Sequence, residues 1–150
     1  MSTPANKLKV THLKEIHNNS LILLYRLLFI LYAEYRGLLP IGENRFYTES
    51  YSLDALKKEI AGKLDKGEPI ATSTYGYWNK LKELFEIINI GNPELGVPPY
   101  NGGLFDPEKH TFLEKHRIGN LYIAKAVDLT CFPVPVTGPI LITAALKSVI

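Results

Sequence analysis

The most apolar stretch of the chain, residues 21–36, predicts a central helix. Between positions 21 and 33 every residue is apolar or aromatic except Arg26. A helix that is apolar nearly all round is usually buried. The run is also shorter than the roughly 20 residues of a bilayer span and carries an arginine near its middle. Because Gly37 and Pro40 mark its end, we expect an enclosed helix that the remaining segments surround.

The start of this helix leaves two alternatives. Asn18-Asn19-Ser20 can interrupt an earlier helix that begins near Leu8, and Ser20 would then be the N-cap of the central helix. The alternative is one long helix from about Leu8 to Arg36, polar at its start and buried at its end.

Arg26 also has two interpretations. An unpaired buried charge is too costly, so the simpler expectation is a buried or half-buried arginine paired to a carboxylate. The other interpretation is a guanidinium presented to a phosphate or carboxylate ligand.

Helical spacing of apolar residues predicts further helices. One begins after Ser52 with Leu53, Leu56, Ile60 and Leu64 on one side. A second helix covers about 74–90. Asp106 followed by Pro107 predicts the N-cap of a third, short helix that ends at about Lys115. A last helix is expected at 120–128. The apolar stripe of the second helix consists of Tyr77, Trp78, Leu81, Leu84, Phe85 and Ile88.

Two loops are expected to connect these helices. Residues 41–52 form the first, with Phe46, Tyr47 and Tyr51 folding back on the core. Residues 91–106 form the second, which is rich in glycine and proline. Its Tyr100, Asn101, Gly102 and Gly103 allow a sharp turn, because such residues tolerate positive φ.

The fold is therefore predicted to be all-α, an irregular bundle of four to six helices around the 21–36 helix. The helical domain covers 1–128. Residues 129–146 contain no charge and include Pro133, Pro135 and Pro139. We expect 129–150 to be an irregular, proline-rich tail that departs from the preceding pattern.

Composition narrows the function only slightly. At 150 residues the chain is most simply one domain. A formal net charge of +2 does not imply a nucleic-acid or membrane partner by itself. The one cysteine, Cys131, excludes an internal disulfide. The polar N-terminus lacks a secretory signal. We therefore expect a cytoplasmic protein without a membrane partner.

Familiar catalytic and metal-binding patterns are absent from the sequence. The histidine pairs, His12 with His17 and His110 with His116, are five and six residues apart, so neither pair stacks on a helical face. There is no HExxH, phosphate-binding glycine loop, GxSxG or Glu-x-Lys motif. We predict no metal site, no cofactor and no catalytic residue.

One apparent methyltransferase motif lacks its reactive side chain. Val97-Pro98-Pro99-Tyr100 is similar to the Asn-Pro-Pro-Tyr signature of DNA amino-methyltransferases. That chemistry needs a side-chain oxygen to accept a hydrogen bond from the target amino group, and valine has none. We therefore interpret this tetrapeptide as part of the loop.

Three blocks together resemble a known family. They are LLYRLLFILYAEYRGLLP at 23–40, WNKLKELF at 78–85 and VPPYNGGLFDPEKHTFLEKHRI at 97–118. In this order they resemble the helical segment that precedes the methyltransferase domain in type IIG-like restriction–modification methylases and in related phage-exclusion methylases. The resemblance covers roughly 15–128. It implies a scaffold between nuclease and methyltransferase that contacts DNA or those domains and contains neither catalytic centre.

Departures from the family suggest a fragment. A nuclease would precede this region and a methyltransferase with its glycine-rich loop would follow, and this chain contains neither. We expect a truncated or frameshifted reading frame in which 129–150 is off-pattern translation. The candidate DNA contacts are Arg36, Arg45 and the loop of Tyr100, Asn101, Gly102 and Gly103. Ordinary solvated charge is the alternative for both arginines.

Two other functional classes stay open. The first is a stand-alone helical protein-interaction module with an exposed apolar patch, which could form a homodimer. The second is a small enzyme of unrecognised type.

Overall fold

A computed structural model describes residues 12–100 and 102–130. The fold is all-α. Five α-helices occur in this part of the chain, together with a π-helical turn at Tyr47–Tyr51. The α-helices are α1 (Leu13–Tyr35), α2 (Leu53–Asp65), α3 (Gly76–Ile90), α4 (Thr111–Lys115) and α5 (Asn120–Thr130). In place of strands, the described residues form one isolated antiparallel bridge, between Asn92 and Val97.

Helix α1 runs without interruption through Asn18, Asn19 and Ser20, where one of the two alternatives placed a break. The Ser20 hydroxyl donates to the Ile16 carbonyl at 2.7 Å, and the Asn19 amide donates to the Glu15 carbonyl at 2.8 Å. These side chains satisfy their hydrogen bonds on the preceding turn of the same helix. The alternative with an N-cap at Ser20 is therefore wrong, and the alternative of one long helix describes α1 better.

A left-handed cap ends α1 as predicted. Gly37 has φ of 70°. The amide of Leu38 donates to the Ala33 carbonyl at 2.8 Å, and the Gly37 amide donates to the Glu34 carbonyl at 3.2 Å. This pair of bonds defines a Schellman motif, in which glycine takes the left-handed position without steric cost.

The prediction that the central helix is enclosed on all sides is wrong. One face of α1 lies in the core, and the residues on the opposite face are half-buried or exposed. Arg26 and Glu34, the charged residues between positions 21 and 35, both lie on the core face. The apolar members of the core face are Ile16, Leu23, Leu27, Ile30 and Ala33.

Helices α2, α3 and α5 complete the core against α1. Helix α3 packs on α5, and α1 and α2 pack on each other and on α5. All six residues of the predicted stripe on α3 are buried, although that helix begins at Gly76 instead of 74. Helix α2 begins after Ser52 as predicted, and the Ser52 side chain is its N-cap, since it accepts a hydrogen bond from the Ala55 amide at 3.0 Å. Leu64 was expected in the core and is 48% exposed.

The connection between α1 and α2 contains more structure than the predicted loop at 41–52. It begins with a turn and ends in the π-helical turn. Tyr47 is fully buried as expected, and Tyr51 packs against the core from a half-buried position. Phe46 was expected to fold back and is instead 75% exposed.

The last two helices differ from the prediction at their ends. Asp106 does not begin α4: its carboxylate accepts from the Glu108 amide at 2.9 Å in a turn, and the helix starts at Thr111. Helix α5 continues to Thr130, so the helical part extends two residues past the predicted boundary at 128. The rest of the predicted tail, 131–150, lies outside the described residues.

Candidate functional site

Arg36, the first candidate DNA contact, is an exposed arginine at the C-terminal cap of α1. Its amide donates to the Tyr32 carbonyl at 2.9 Å, and its guanidinium carbon lies 6.0 Å from the centre of the Tyr32 ring. This cation–π contact at an exposed site is weak. The guanidinium is therefore accessible to an anion in solvent.

Arg45, the second candidate, is already paired. Its Nε donates to Glu49 Oε1 at 3.0 Å, and both side chains are largely exposed. An exposed ion pair of this kind contributes about 0–1 kcal/mol. A phosphate could compete for this arginine at small energetic cost, and Glu49 would then be left beside the anion.

The loop of Tyr100, Gly102 and Gly103 is tied to the body of the protein. The Tyr100 hydroxyl donates to the Leu38 carbonyl at 2.6 Å, two residues beyond Arg36. Gly103 has φ of 81°, and its carbonyl lies 3.1 Å from His110 Nε2. Burial, and then the charge of Arg26, lowers the pKa of His110. Asn101 lies outside the described residues.

Arg26 holds the end of this loop from inside the core. It is 1% exposed, and its Nε donates to the Leu104 carbonyl at 2.8 Å. Its guanidinium carbon lies 4.9 Å from the centre of the Phe85 ring and 5.7 Å from that of Phe105. Burial lowers the pKa of Arg26 to about 10, opposed by the charge of Glu114, so the side chain stays protonated at neutral pH.

The predicted carboxylate partner of Arg26 is absent from the described residues. Glu114 is the acid whose charge acts on it, but that carboxylate pairs with Lys82 at 2.9 Å. A backbone carbonyl and two aromatic faces take the place of the carboxylate. In the described part of the chain Arg26 Nη2 has no hydrogen-bond partner.

A buried carboxylate that sequence reasoning missed joins α1 to α2. Glu34 Oε1 accepts from the Tyr47 hydroxyl at 2.9 Å and from the Leu53 amide at 2.8 Å. Its Oε2 accepts from the Asp54 amide at 3.1 Å. The two amides belong to the first turn of α2, where the helix dipole favours a negative charge. Glu34 therefore caps a second helix from outside it.

Burial and hydrogen bonding act on Glu34 in opposite directions. Burial raises the pKa of its carboxyl, and the hydrogen bonds from Tyr47, Leu53 and Asp54 oppose that rise. The pKa of the Tyr47 hydroxyl is raised in turn, first by burial and then by the neighbouring carboxylate. With three donors aimed at its two oxygens, this carboxylate is committed to the protein's own groups.

Two cavities of similar size line the surface of α2. The first, of about 230 Å³, lies between the π-helical turn, α2 and α3, with Glu59 and Lys80 joined across it at 2.6 Å. The second, of about 210 Å³, lies between α1 and α2 near Tyr35. Both are smaller than the roughly 300–1,000 Å³ typical of small-molecule pockets. No three His, Cys, Asp or Glu side chains of the described residues are grouped to hold a metal ion.

The outer face of α1 is an exposed apolar feature of the described residues. We define it as Leu21, Tyr25, Leu28, Tyr32 and Tyr35. The two leucines are half-buried, and the three tyrosines are exposed, Tyr32 by 59% and Tyr35 by 86%. Leu24 packs with both leucines in a small cluster separate from the main core. Helix α1 is also long and apolar enough to cross a membrane, although the core helices of soluble proteins can have the same length and composition.

Comparisons with protein-family models, with curated proteins and with solved structures found no match to this chain. Over residues 12–100 and 102–130 its geometry is that of an all-α protein with two buried charged side chains, Arg26 and Glu34, and an exposed apolar face on α1.

Proposed function

We propose that this chain is a non-catalytic helical scaffold module of a restriction–modification DNA methylase. One observation carries the proposal: the two most specific blocks of the sequence resemblance contact each other. The Tyr100 hydroxyl of the Tyr-Asn-Gly-Gly-Leu-Phe block donates at 2.6 Å to the Leu38 carbonyl of the Tyr-Ala-Glu-x-Arg-Gly-Leu-Leu-Pro block. Two residues that are 62 positions apart in sequence thus join the two blocks into one structural unit.

Further contacts join α1 to the same loop. The Phe29 ring packs edge-on against Tyr100 and Phe105, with centroid distances of 5.6 and 5.3 Å. Arg26 adds its hydrogen bond to the Leu104 carbonyl. A glycine-rich loop held at several points by one helix is a rigid platform, which is what a scaffold between domains requires.

The buried charged groups also support a positioning role. The Glu34 carboxylate accepts hydrogen bonds from the Tyr47 hydroxyl and from two amides in the first turn of α2. Arg26 Nε donates a hydrogen bond to the Leu104 carbonyl, and its guanidinium packs against the rings of Phe85 and Phe105. Both groups therefore stabilise the fold, because removal of one partner from a buried polar contact lowers the free energy of unfolding.

Weak DNA contact is part of the proposal. Arg36 lies two residues from the carbonyl that holds Tyr100, and Arg45 follows Asn44, whose amide donates to the Glu94 carbonyl at 3.2 Å. Each exposed arginine is thus close in sequence to a bond that anchors the 91–100 segment. Two such charges on a chain of net charge +2 would give weak binding that salt suppresses.

The DNA downstream of the coding sequence tests the proposal. It should encode, in one of the three frames, a methyltransferase with a glycine-rich loop and an intact Asn-Pro-Pro-Tyr. The frames can then be joined, and the product assayed for methyl transfer from S-adenosylmethionine to adenine, with this chain alone as the control. Methyl transfer by the joined product alone supports the proposal. The absence of methyltransferase sequence in all three frames contradicts it, and so does turnover by this chain alone.

A second candidate function is favoured by the outer face of α1. Its three exposed tyrosines and two half-buried leucines are the residue types that protein interfaces use. A stand-alone interaction module would use this face to bind another helix.

A further inference from the structure

The outer face of α1 follows the spacing of a coiled-coil seam. Its members stand at positions 21, 25, 28, 32 and 35, with successive steps of four, three, four and three residues. This alternation gives a repeat of about 3.5 residues, the period at which one helix packs along another. The core face of α1 lies on the opposite side, so the helix has two apolar faces.

The outer face contains no charged side chain. Arg26 and Glu34 are both buried on the core face. The polar and charged residues on the outer side come before Leu21, as Lys14, His17 and Asn18 do, or after Tyr35, as Arg36 does. Two copies of the face could therefore approach each other without burying an unpaired ion among its five members, while the guanidinium of Arg36, 6.0 Å from the Tyr32 ring, is an exposed charge at the edge of the face.

The centre and the two ends of the face also match when its direction is reversed. Leu28 stands at the centre, seven residues from Leu21 and seven from Tyr35. In an antiparallel pair the short leucine at one end would face the long tyrosine at the other, and Leu28 would face its own copy. Antiparallel helices also oppose their dipoles favourably.

We propose that the outer face of α1 binds the same face of a second copy of this chain, with the two helices antiparallel about a two-fold axis at Leu28. The interface is isologous, as in most homodimers. The tyrosine hydroxyls lie at the rim and keep contact with water. The inference deepens the second candidate function and does not depend on the methylase assignment.

The size of the face indicates a weak dimer. Fourteen helical steps span about 21 Å, and a strip of that length places the interface at the low end of specific protein–protein contacts, below roughly 1,200 Å² in total. Leu38, which is exposed just beyond the end of α1, can extend it. We expect a dissociation constant on the order of 10 μM.

Sedimentation velocity of the full chain tests the proposal, over a concentration range from about 1 to about 300 μM. The weight-average mass should rise from monomer to dimer. Leu28→Glu and Leu28→Lys should each raise the dissociation constant at least about tenfold, because each places like charges at the two-fold axis. An equimolar mixture of the two variants should restore a 1:1 dimer. Failure of the mixture to associate would overturn the pairing of Leu28 with itself.

Two further variants keep the test independent of folding. Leu64→Glu changes an exposed leucine on α2 and should leave the association unchanged. If the substitutions at Leu28 unfold the chain, Tyr32→Glu places the charge on a more exposed residue of the same face. An equal loss of association in Leu64→Glu and Tyr32→Glu contradicts the proposal, since the outer face would then have no special part.

Thiol chemistry distinguishes the other occupants of the face. In a Cys131→Ser background, Leu28→Cys should give a covalent dimer with a short bis-maleimide. A monomer whose thiol at position 28 reacts freely means that a different protein, or nothing, covers the face. A monomer whose thiol is protected means that another part of the same chain covers it. Either monomer overturns the proposal, and neither bears on the downstream methyltransferase sequence.

Discussion

Glu34 accepts a hydrogen bond from the Tyr47 hydroxyl at 2.9 Å, and both side chains are buried. The same carboxylate accepts hydrogen bonds from the first two amides of α2, so one side chain joins α1, the π-helical turn and α2. The placement of the π-helical turn and of α2 relative to α1 therefore depends on this one side chain of α1.

Removal of this carboxylate should be costly. Glu34→Ala leaves two amides and a buried hydroxyl without their acceptor, and we expect it to lower the free energy of unfolding by about 3 kcal/mol. Tyr47→Phe removes one donor and should cost about 1.5 kcal/mol. Urea denaturation followed by circular dichroism measures both changes.

A matched control separates this role from ordinary helix capping. Ser52→Ala removes the N-cap of the same helix and should cost about 1 kcal/mol. A Glu34→Ala variant no less stable than Ser52→Ala would contradict a joint role in three elements.

The raised pKa of Glu34 predicts an unusual pH dependence. Its folded pKa exceeds the ordinary value of 4.5. Between these two pKa values the folded state binds more protons than the unfolded state, so the contribution of Glu34 to stability falls as pH rises. The stability difference between the natural chain and Glu34→Gln should therefore shrink as the pH rises above the ordinary carboxyl pKa of 4.5. A difference that grows with pH would mean that the three hydrogen bonds and the helix dipole outweigh burial.

Arg26 should be essential to the fold through its hydrogen bond to a backbone carbonyl and its contacts with two aromatic rings. Arg26→Ala leaves a cavity beside Phe85 and Phe105 and removes the donor to the Leu104 carbonyl. We expect a loss of about 3–4 kcal/mol in denaturation experiments. Arg36→Ala, at an exposed position, is the control and should change stability by less than about 0.5 kcal/mol. Equal effects of the two variants would refute the structural role of Arg26.

Much of the fold could be predicted from apolar spacing. The six-residue stripe of α3 and the start of α2 after Ser52 are both confirmed. Such features are local, because spacing selects the buried face and a hydroxyl before a helix accepts a nearby amide. The π-helical turn and the late start of α4 were missed, since tertiary packing decides them.

The candidate site was predicted less well, for reasons that the residues make clear. In the 21–36 run both faces of the helix are apolar, so composition could not show which one enters the core. The steps of four and three from Leu21 to Tyr35 could have indicated the outer face. For Glu34 no sequence signal exists, because its three donors lie 13 to 20 residues away. Pairing at such separations is set by the fold.

DNA binding should depend on the two candidate arginines. Fluorescence anisotropy with a labelled duplex should show weak binding at about 50 mM salt that is largely lost at about 200 mM. Arg36→Ala and Arg45→Ala should each weaken binding and reduce the salt slope by about one. Lys58→Ala, which removes an exposed lysine paired to Asp54, is the control and should change little. No binding at low salt would remove DNA from the proposal.

The central claim is that α1 holds the core with one face and leaves the other open for a partner. Maleimide labelling in a Cys131→Ser background tests it directly, at about 0.5 μM, well below the expected dissociation constant. The thiol of Tyr32→Cys should react at the rate of an exposed thiol. The thiol of Leu27→Cys, on the core face, should react only when the chain unfolds. Equal rates at the two positions, or protection at position 32, would contradict the account.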